Sequence, residues 1–599
     1  MSVRVTGRNT FSPGIFAACI FAAVALEGAS YAPCTARAGG IAVGDPALGS
    51  VGKCTGSLSS LLASAQPSDT VAVWIFLADR GTAEKRGVPL CMSPRAAGRR
   101  SLRGFAGADE SDRAVFRGYV DSLRGRVARI RHVSRYLNAV SVEVEARGIP
   151  PLSACGFVKS IDRIAACGPG VPVPHQPEGS VPAPPVSAPR SSDYGGSFEQ
   201  LNQLGLVELL ERGYNGSGAA AGHAPILIGI LDTGFKLDHE ALQDVAIEAQ
   251  WDFVQGDSVV SNEPGDPPGQ DMHGTTVLGV IAGHASGRLI GPAWGAKYLL
   301  AKTEITNQEI PIEEDHWVAG LEWADSAGAD VVSSSLGYID WYTSDQLDGK
   351  TALCTRAAGI AVSHGIVVVN STGNRGAAGL VAPADGDSVL AIGAVDAEAA
   401  IASFSSRGPT ADGRIKPDFT ARGLDAWSVS YSDPAVYAAY NGTSYAAPLV
   451  AGACAVLLEI HPDWDPVEVR SALRATSSRS AFPGNVYGWG IPDMELAAKY
   501  AGSFAVPGSA SNPGAFPNPF AGETKLELSF ASRAPVTVRV YDVRGALVKT
   551  LVAGRPAQAS LTLTWDGTNE EREHVASGVY FLRIDSATLK RSVKVVHIR

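Results

Sequence analysis

Three short segments of the 599-residue chain combine residue types that can activate a hydroxyl: Asp232-Thr233-Gly234, His273-Gly274-Thr275 and Gly442-Thr443-Ser444-Tyr445-Ala446-Ala447-Pro448. A serine hydroxyl is a poor nucleophile until an imidazole can take its proton. The imidazole in turn needs a buried carboxylate to hold its tautomer and stabilise the imidazolium. Asp232 ends the apolar run ILIGIL, so its carboxylate is expected to emerge, partly desolvated, from a rigid strand. His273 opens GTTVLGVIAG, which has helical spacing of small and apolar residues. Ser444 opens SYAAPLVAGACAVLLE, where a helix N-terminus favours developing negative charge. Pro448 is placed near the first turn of that helix, where its missing N–H costs little. An isolated Asp-Thr-Gly usually marks a turn. The seven-residue serine segment is the specific signal.

These residues need elements to hold them. From Phe198 to Tyr500 the runs ILIGILD, YLLAKTEI, ADVVSSSLG, GIVVVNSTG and SVLAIGAV alternate with helical stretches. That pattern predicts an α/β fold, a mostly parallel sheet flanked by helices, with active groups beyond the carboxyl ends of the strands. The helix before ADVVSSSLG, roughly Glu313 to Ser326, should turn Trp317, Gly320, Leu321 and Ala324 inward. Ahead of this region, strand-like Val71–Leu77 and Ala139–Val144 surround a helical stretch, Ser111–Arg124, and predict a small α+β domain over 39–167. The Arg-rich stretch Arg95 to Arg135 reads as a solvated helix face and loop. A Pro-rich segment, 168–195, reads as an extended linker. After a second linker at 503–515, the runs LELSF, VTVRVYDV, LTLTW and GVYFLRI predict an antiparallel β-sandwich over 516–599.

Composition bounds the function. Hydrophobic residues at 45% and charged residues at 18% describe globular material, and a net charge of −10 excludes a general nucleic-acid partner. Arg4 and Arg8 precede an apolar run, Ile15–Leu26, and small residues ending in Ala36-Arg37-Ala38, the pattern of a signal peptide over 1–38. The run is shorter than the ~20 residues that span a bilayer, so no transmembrane anchor is expected. Cys19 and Cys34 fall in this leader. Pairing among Cys54, Cys91, Cys155, Cys167, Cys354 and Cys454 is left open, with Cys454 expected as a small buried hydrophobe. His239 and His284 are expected in structural roles, His316 and His364 at surface or satisfied positions, and no cluster has zinc-ligand spacing.

In the order Asp, His, Ser, the motifs resemble the subtilisin-like serine proteases over about 300 residues. The resemblance makes 196–502 a peptidase domain with catalytic Asp232, His273 and Ser444. It implies that Ser335-Leu336-Gly337 is the strand that pairs with substrate, and that Thr372-Gly373-Asn374 supplies an oxyanion donor, Asn374. Thr372 stands where the family has alanine. Gly488-Trp489-Gly490-Ile491-Pro492-Asp493 resembles the family's closing segment. Polypeptide substrates are implied and no cofactor is required; the acidic loop Asp252–Asp271 reads first as solvated and second as oxygen ligands for the structural calcium that such proteases often carry. The 39–167 domain, with RYLNAVSVEVEA and GFVKSIDRIA, resembles the family's inhibitory propeptide. The tail, with FPNPF, VYDVRG, WDG and SGVYFLRI, resembles the sorting domain of the bacterial type IX secretion route and the Ig-like domain of a flagellar hook-assembly protein. The chain is thus expected to be a secreted or cell-surface bacterial zymogen. Two alternatives are a catalytically silent adhesion protein on this scaffold and a carboxyl-type serine peptidase; His273 argues against the latter.

Overall fold

The computed structural model describes residues 53–81, 90–105, 107–164, 193–500, 515–516, 520–529, 535–556, 560–571, 573–586 and 590–598. The expected leader, nearly all of both linkers, and Cys167 lie outside them. Within them the five β-branched runs are strands of a seven-stranded sheet. Its order is Phe419–Arg422, Leu390–Val395, Val367–Ser371, Val331–Ser334, Leu227–Asp232, Lys297–Lys302, Ala246–Asp252. Every neighbouring pair is parallel. Alternate residues of one strand feed two apolar layers, as a sheet covered on both faces requires. Ile228 and Ile230 pack with helices Met272–Ala282 and Thr443–Ile460; Leu227 and Leu231 pack under Ile312–Ala327 and Leu353–Ser363. Trp317, Leu321 and Ala324 are fully buried, as their spacing predicts. Among the described helices, Thr443–Ile460 is long and apolar enough to cross a bilayer, and it is buried in this core.

The N-terminal domain is a four-stranded antiparallel sheet, ordered Arg129–Ser134, Ala139–Glu145, Thr70–Leu77, Val158–Arg163. One face holds its own apolar core, including Val73, Ile75, Val140 and Leu123. The other presents Trp74 and Phe76 towards Leu353 of the central domain. The helix expected over Ser111–Arg124 is shorter. A 3-10 turn, Glu110–Asp112, precedes Arg117–Arg124, because the Asp112 carboxylate turns inward and takes both Arg100 terminal nitrogens at 2.6 Å.

The arginines of this domain correct the expected solvated face. Arg99, Arg100, Arg103 and Arg135 are each 8% exposed or less and are sealed between the two domains. Helix Pro94–Leu102 lies across the C-terminal end of Ile312–Ala327. There Arg99 reaches Asp325 at 2.5 Å, Arg103 reaches Asp330 at 2.9 Å and Arg135 reaches Asp325 at 3.0 Å. The helix C-terminus adds its own negative end to these carboxylates. Burial alone would raise the Asp325 carboxyl; His364, Arg99 and Arg135 instead hold it well below the usual range. His364, bonded to Asp325 and Ser111, is satisfied but not at the surface. Buried His316 is pushed down to about 3 by burial and then by Arg131 and His132.

The tail forms two small sheets. One orders Ala515–Phe516, Thr524–Ser529, Ser560–Trp565; the other orders Leu547–Pro556, Pro535–Asp542, Gly578–Ser586, Lys590–His597. Phe520, Trp565, Val538 and Leu582 fill the space between them. Cys54, Cys155, Cys354 and Cys454 carry free thiols, and Cys454 is packed inside Thr443–Ile460 as a small apolar residue.

Candidate active site

Asp232 ends its strand with its side chain fully buried, and its Oδ1 lies 2.7 Å from His273 Nδ1. The same oxygen accepts the Thr233 N–H at 2.8 Å, while Oδ2 has no hydrogen bond among the described residues. The carboxylate charge is therefore left to the imidazole. His273 sits in the first turn of Met272–Ala282 and its side chain is 21% exposed. A Cβ on Gly274 would stand 2.1 Å from Gly234 O and 3.1 Å from the Asp232 Cβ. Only glycine lets this helix press so closely on the strand.

Ser444 stands at the start of Thr443–Ile460, where backbone N–H groups have no intrahelical partner. Its Oγ lies 3.4 Å from Ser335 O. Pro448 lies a turn further in than expected, so its missing N–H does orphan a carbonyl, that of Ser444. Ser335 Oγ takes over as donor to that oxygen at 2.8 Å. The proline and the serine that compensates it are 113 residues apart, which no local pattern could connect. Asn374 follows the strand Val367–Ser371, and its Oδ1 accepts both the Thr443 N–H and the Thr443 hydroxyl at 2.9 Å. With that end fixed, the side-chain amide nitrogen is the end that is left to donate. Thr372, in the place of alanine, is buried and spends its hydroxyl on Ile392 O at 3.2 Å.

Ser335-Leu336-Gly337 continues Val331–Ser334 past the sheet edge. Asn370 Nδ2 fixes the Leu336 carbonyl at 2.9 Å, and a Cβ on Gly337 would meet Val381 at 2.1 Å. The structure thus gathers Asp232, His273, Ser444 and Ser335 at the carboxyl edge, with Asn374 tied in through Thr443. A further buried residue, Gln270, binds this edge together. Its Nε2 donates to Thr233 O and Glu304 O, both at 2.6 Å, and its Oε1 accepts from Thr306 N at 2.9 Å. Nearby, burial and then Glu313 and Glu309 push the Glu304 carboxyl well up, and burial with Asp340 raises Glu309 to about 7. His239 and His284 stay structural: His239 bonds Val436 O at 2.8 Å, and His284 stacks on Trp294.

In the acidic loop Asp252, Asp257 and Glu263 each bring an oxygen within 4.8 Å of the others, and these are the residues that would hold a structural calcium ion. Asp252 Oδ1 accepts the N–H groups of Val254 and Gln255, and fully buried Lys302 places its ammonium 2.7 Å from both Asp252 Oδ2 and Asp266 Oδ2. Lys302 supplies one positive charge beside these carboxylates, and burial, helped by Asp257 and Asp252, pushes the Glu263 carboxyl up.

A parallel sheet that delivers an Asp–His pair and a serine at a helix N-terminus has the framework of a serine hydrolase. Residues 224–490 match the subtilase family, residues 72–171 the peptidase S8 propeptide domain of Bacteroidota, and residues 517–590 the FlgD Ig-like domain. The chain is 34% identical over 282 residues to subtilisin DY of Bacillus licheniformis, covering 46% of this chain and 92% of that protein. It is 30% identical over 390 residues to subtilisin E of Bacillus subtilis, covering 63% of this chain and 85% of the relative. The chain belongs to the subtilase family and is a serine endopeptidase with a propeptide domain ahead of its protease body.

Proposed function

We propose that this is a secreted zymogen whose triad is Asp232, His273 and Ser444. Ser444 attacks the peptide carbonyl as His273 takes its proton, and His273 then protonates the leaving amine, giving an acyl-enzyme that water hydrolyses. Asp232 holds the imidazole tautomer. The Ser444 N–H and the Asn374 side-chain amide hold the oxyanion, and Ser335-Leu336-Gly337 pairs with the extended substrate. The observation that carries this reading is the 2.7 Å bond between a fully buried Asp232 and a partly exposed imidazole.

Export removes residues 1–38. The 39–167 domain then covers the protease body until the chain is cut within 168–195, and the 516–599 sandwich, joined through 503–515 to the 196–502 peptidase domain, acts as a sorting domain towards the secretion machinery. Residue termini of the exported protein, read by mass spectrometry, test this order. The active protein should start between residues 168 and 196, and its Ser444→Ala counterpart should retain the N-terminal domain and hydrolyse no casein. Casein hydrolysis by Ser444→Ala would overturn the assignment.

A further inference from the structure

The surface under the arginine helix is a built receptor for guanidinium groups. Arg95, Arg99 and Arg103 lie at four-residue spacing, so they share one face of Pro94–Leu102. Each is met by a carboxylate and by backbone carbonyls of the protease body. Arg95 bonds Asp330 Oδ2 and Pro225 O at 2.7 Å and Gly328 O at 3.2 Å. Arg99 bonds Asp325 Oδ1 and Ala329 O at 2.5 Å, with His364 O at 3.3 Å. Arg103 bonds Asp330 Oδ1 at 2.9 Å and Gly365 O at 2.7 Å. Both carboxylates belong to the protease body, and Asp330 is held in place there by the Leu227 N–H at 3.0 Å. Carbonyl and carboxylate oxygens set at several guanidinium nitrogens at once select arginine over lysine, whose ammonium cannot fork.

We propose that this receptor outlives the N-terminal domain: on the processed enzyme it is an exosite that captures polypeptides carrying arginines at four-residue spacing. The proposal rests on the reading that the N-terminal domain leaves on maturation. In the zymogen the site is filled by the chain's own helix. In the processed enzyme it is open, and it adds to the active-site cleft a second point of attachment that favours arginine-rich substrates by effective concentration.

The test uses the processed, active enzyme and a fluorescent peptide copying residues 93–105, SPRAAGRRSLRGF. Inhibiting the enzyme with a serine-directed fluorophosphonate keeps the peptide intact during the measurement. Saturable binding is expected. It should weaken about thirty-fold in Asp325→Asn, and it should be lost when Arg95, Arg99 and Arg103 are changed to lysine in the peptide. Before inhibition, Asp325→Asn should cleave a short arginine-free chromogenic peptide at the wild-type rate, which shows that the fold survives. Equal binding of the arginine and lysine peptides, or of wild type and Asp325→Asn, overturns the exosite. An active, processed enzyme that binds no peptide overturns the exosite alone and leaves the proteolytic reading standing. An active enzyme that still carries residues 53–164 overturns both the release step and the exosite.

Discussion

The protease body holds two buried aspartates that each bond a histidine Nδ1, and their surroundings give them opposite fates. Asp232 meets His273 at 2.7 Å and Asp325 meets His364 at 2.8 Å. A serine even completes the second set, since Ser111 Oγ lies 2.8 Å from His364 Nε2. Its hydroxyl also faces a carboxylate, Asp109 Oδ1, at 2.5 Å. That carboxylate thus competes with His364 Nε2 for the one hydroxyl hydrogen of Ser111. Asp325 is also neutralised by Arg99, Arg100 and Arg135, whereas among the described residues Asp232 has no ion-pair partner but its histidine. Connectivity alone does not activate a serine; the proton must have nowhere better to go, and the carboxylate charge must be kept for the imidazolium. The same charges that disable the second set suit an interface that comes apart, because water can solvate them again on separation, as it cannot the apolar cores on either side.

The largest effect expected from breaking this contrast is at the serines. Ser444→Ala should lower kcat by about 10⁶, a magnitude taken from subtilisin, a relative of this chain. Ser111→Ala should leave self-processing of the full chain within 168–195 unchanged, whereas Ser444→Ala should abolish it. A comparable loss in both would erase the distinction. Next come the aspartates. Asp232→Asn should cost about 10⁴ in kcat by favouring the wrong tautomer while sparing the domain interface. Asp325→Ala should leave chemistry intact and weaken the hold of the N-terminal domain by about 3–5 kcal/mol, because it strands buried arginines. Inhibition of processed enzyme by added 39–167 domain measures the second, and steady-state kinetics the first. Asn374→Ala should cost about 10²–10³ in kcat with little change in KM, again a range known from subtilisin.

The smallest effect concerns a third buried aspartate. Asp418 is opposed by burial but held at about 2 by Lys416 and Arg474, at 2.6 and 2.8 Å. A depressed carboxyl contributes stability that is complete above its unfolded value near 4 and is lost as pH falls from there through about 2. The contribution is about 2 kcal/mol. Chemical denaturation of wild type and Asp418→Asn between pH 6 and 2 should show the two curves converging in acid. A constant gap would contradict the assignment.

How much of this was legible in the sequence follows from where the physics is local. The five strands under the site announce themselves because a strand covered on both faces must be β-branched along its length. Strand Ala246–Asp252 does not, because at the sheet edge half its residues face water and the run AIEAQWD carries little pattern. Asp232, His273 and Ser444 are legible because nucleophilic catalysis confines residue types to short motifs. Arg95, Arg99 and Arg103 were misread, since arginines at four-residue spacing look the same on a solvated face and on one covered by another domain. Lys302 between Asp252 and Asp266, and Ser335 under the Ser444 carbonyl, are long-range pairings with no local trace.

The central claim is that Ser444, and not the serine of the arginine-bound set, carries an activated hydroxyl. Labelling of the processed enzyme, and of the unprocessed Ser444→Ala chain that retains Ser111, with a fluorophosphonate, followed by peptide mapping, tests it directly. One modified peptide containing Ser444 is expected, absent in Ser444→Ala and strongly reduced in His273→Ala. Full labelling retained in Ser444→Ala, or an active enzyme in which Ser444 stays unmodified, would contradict the account.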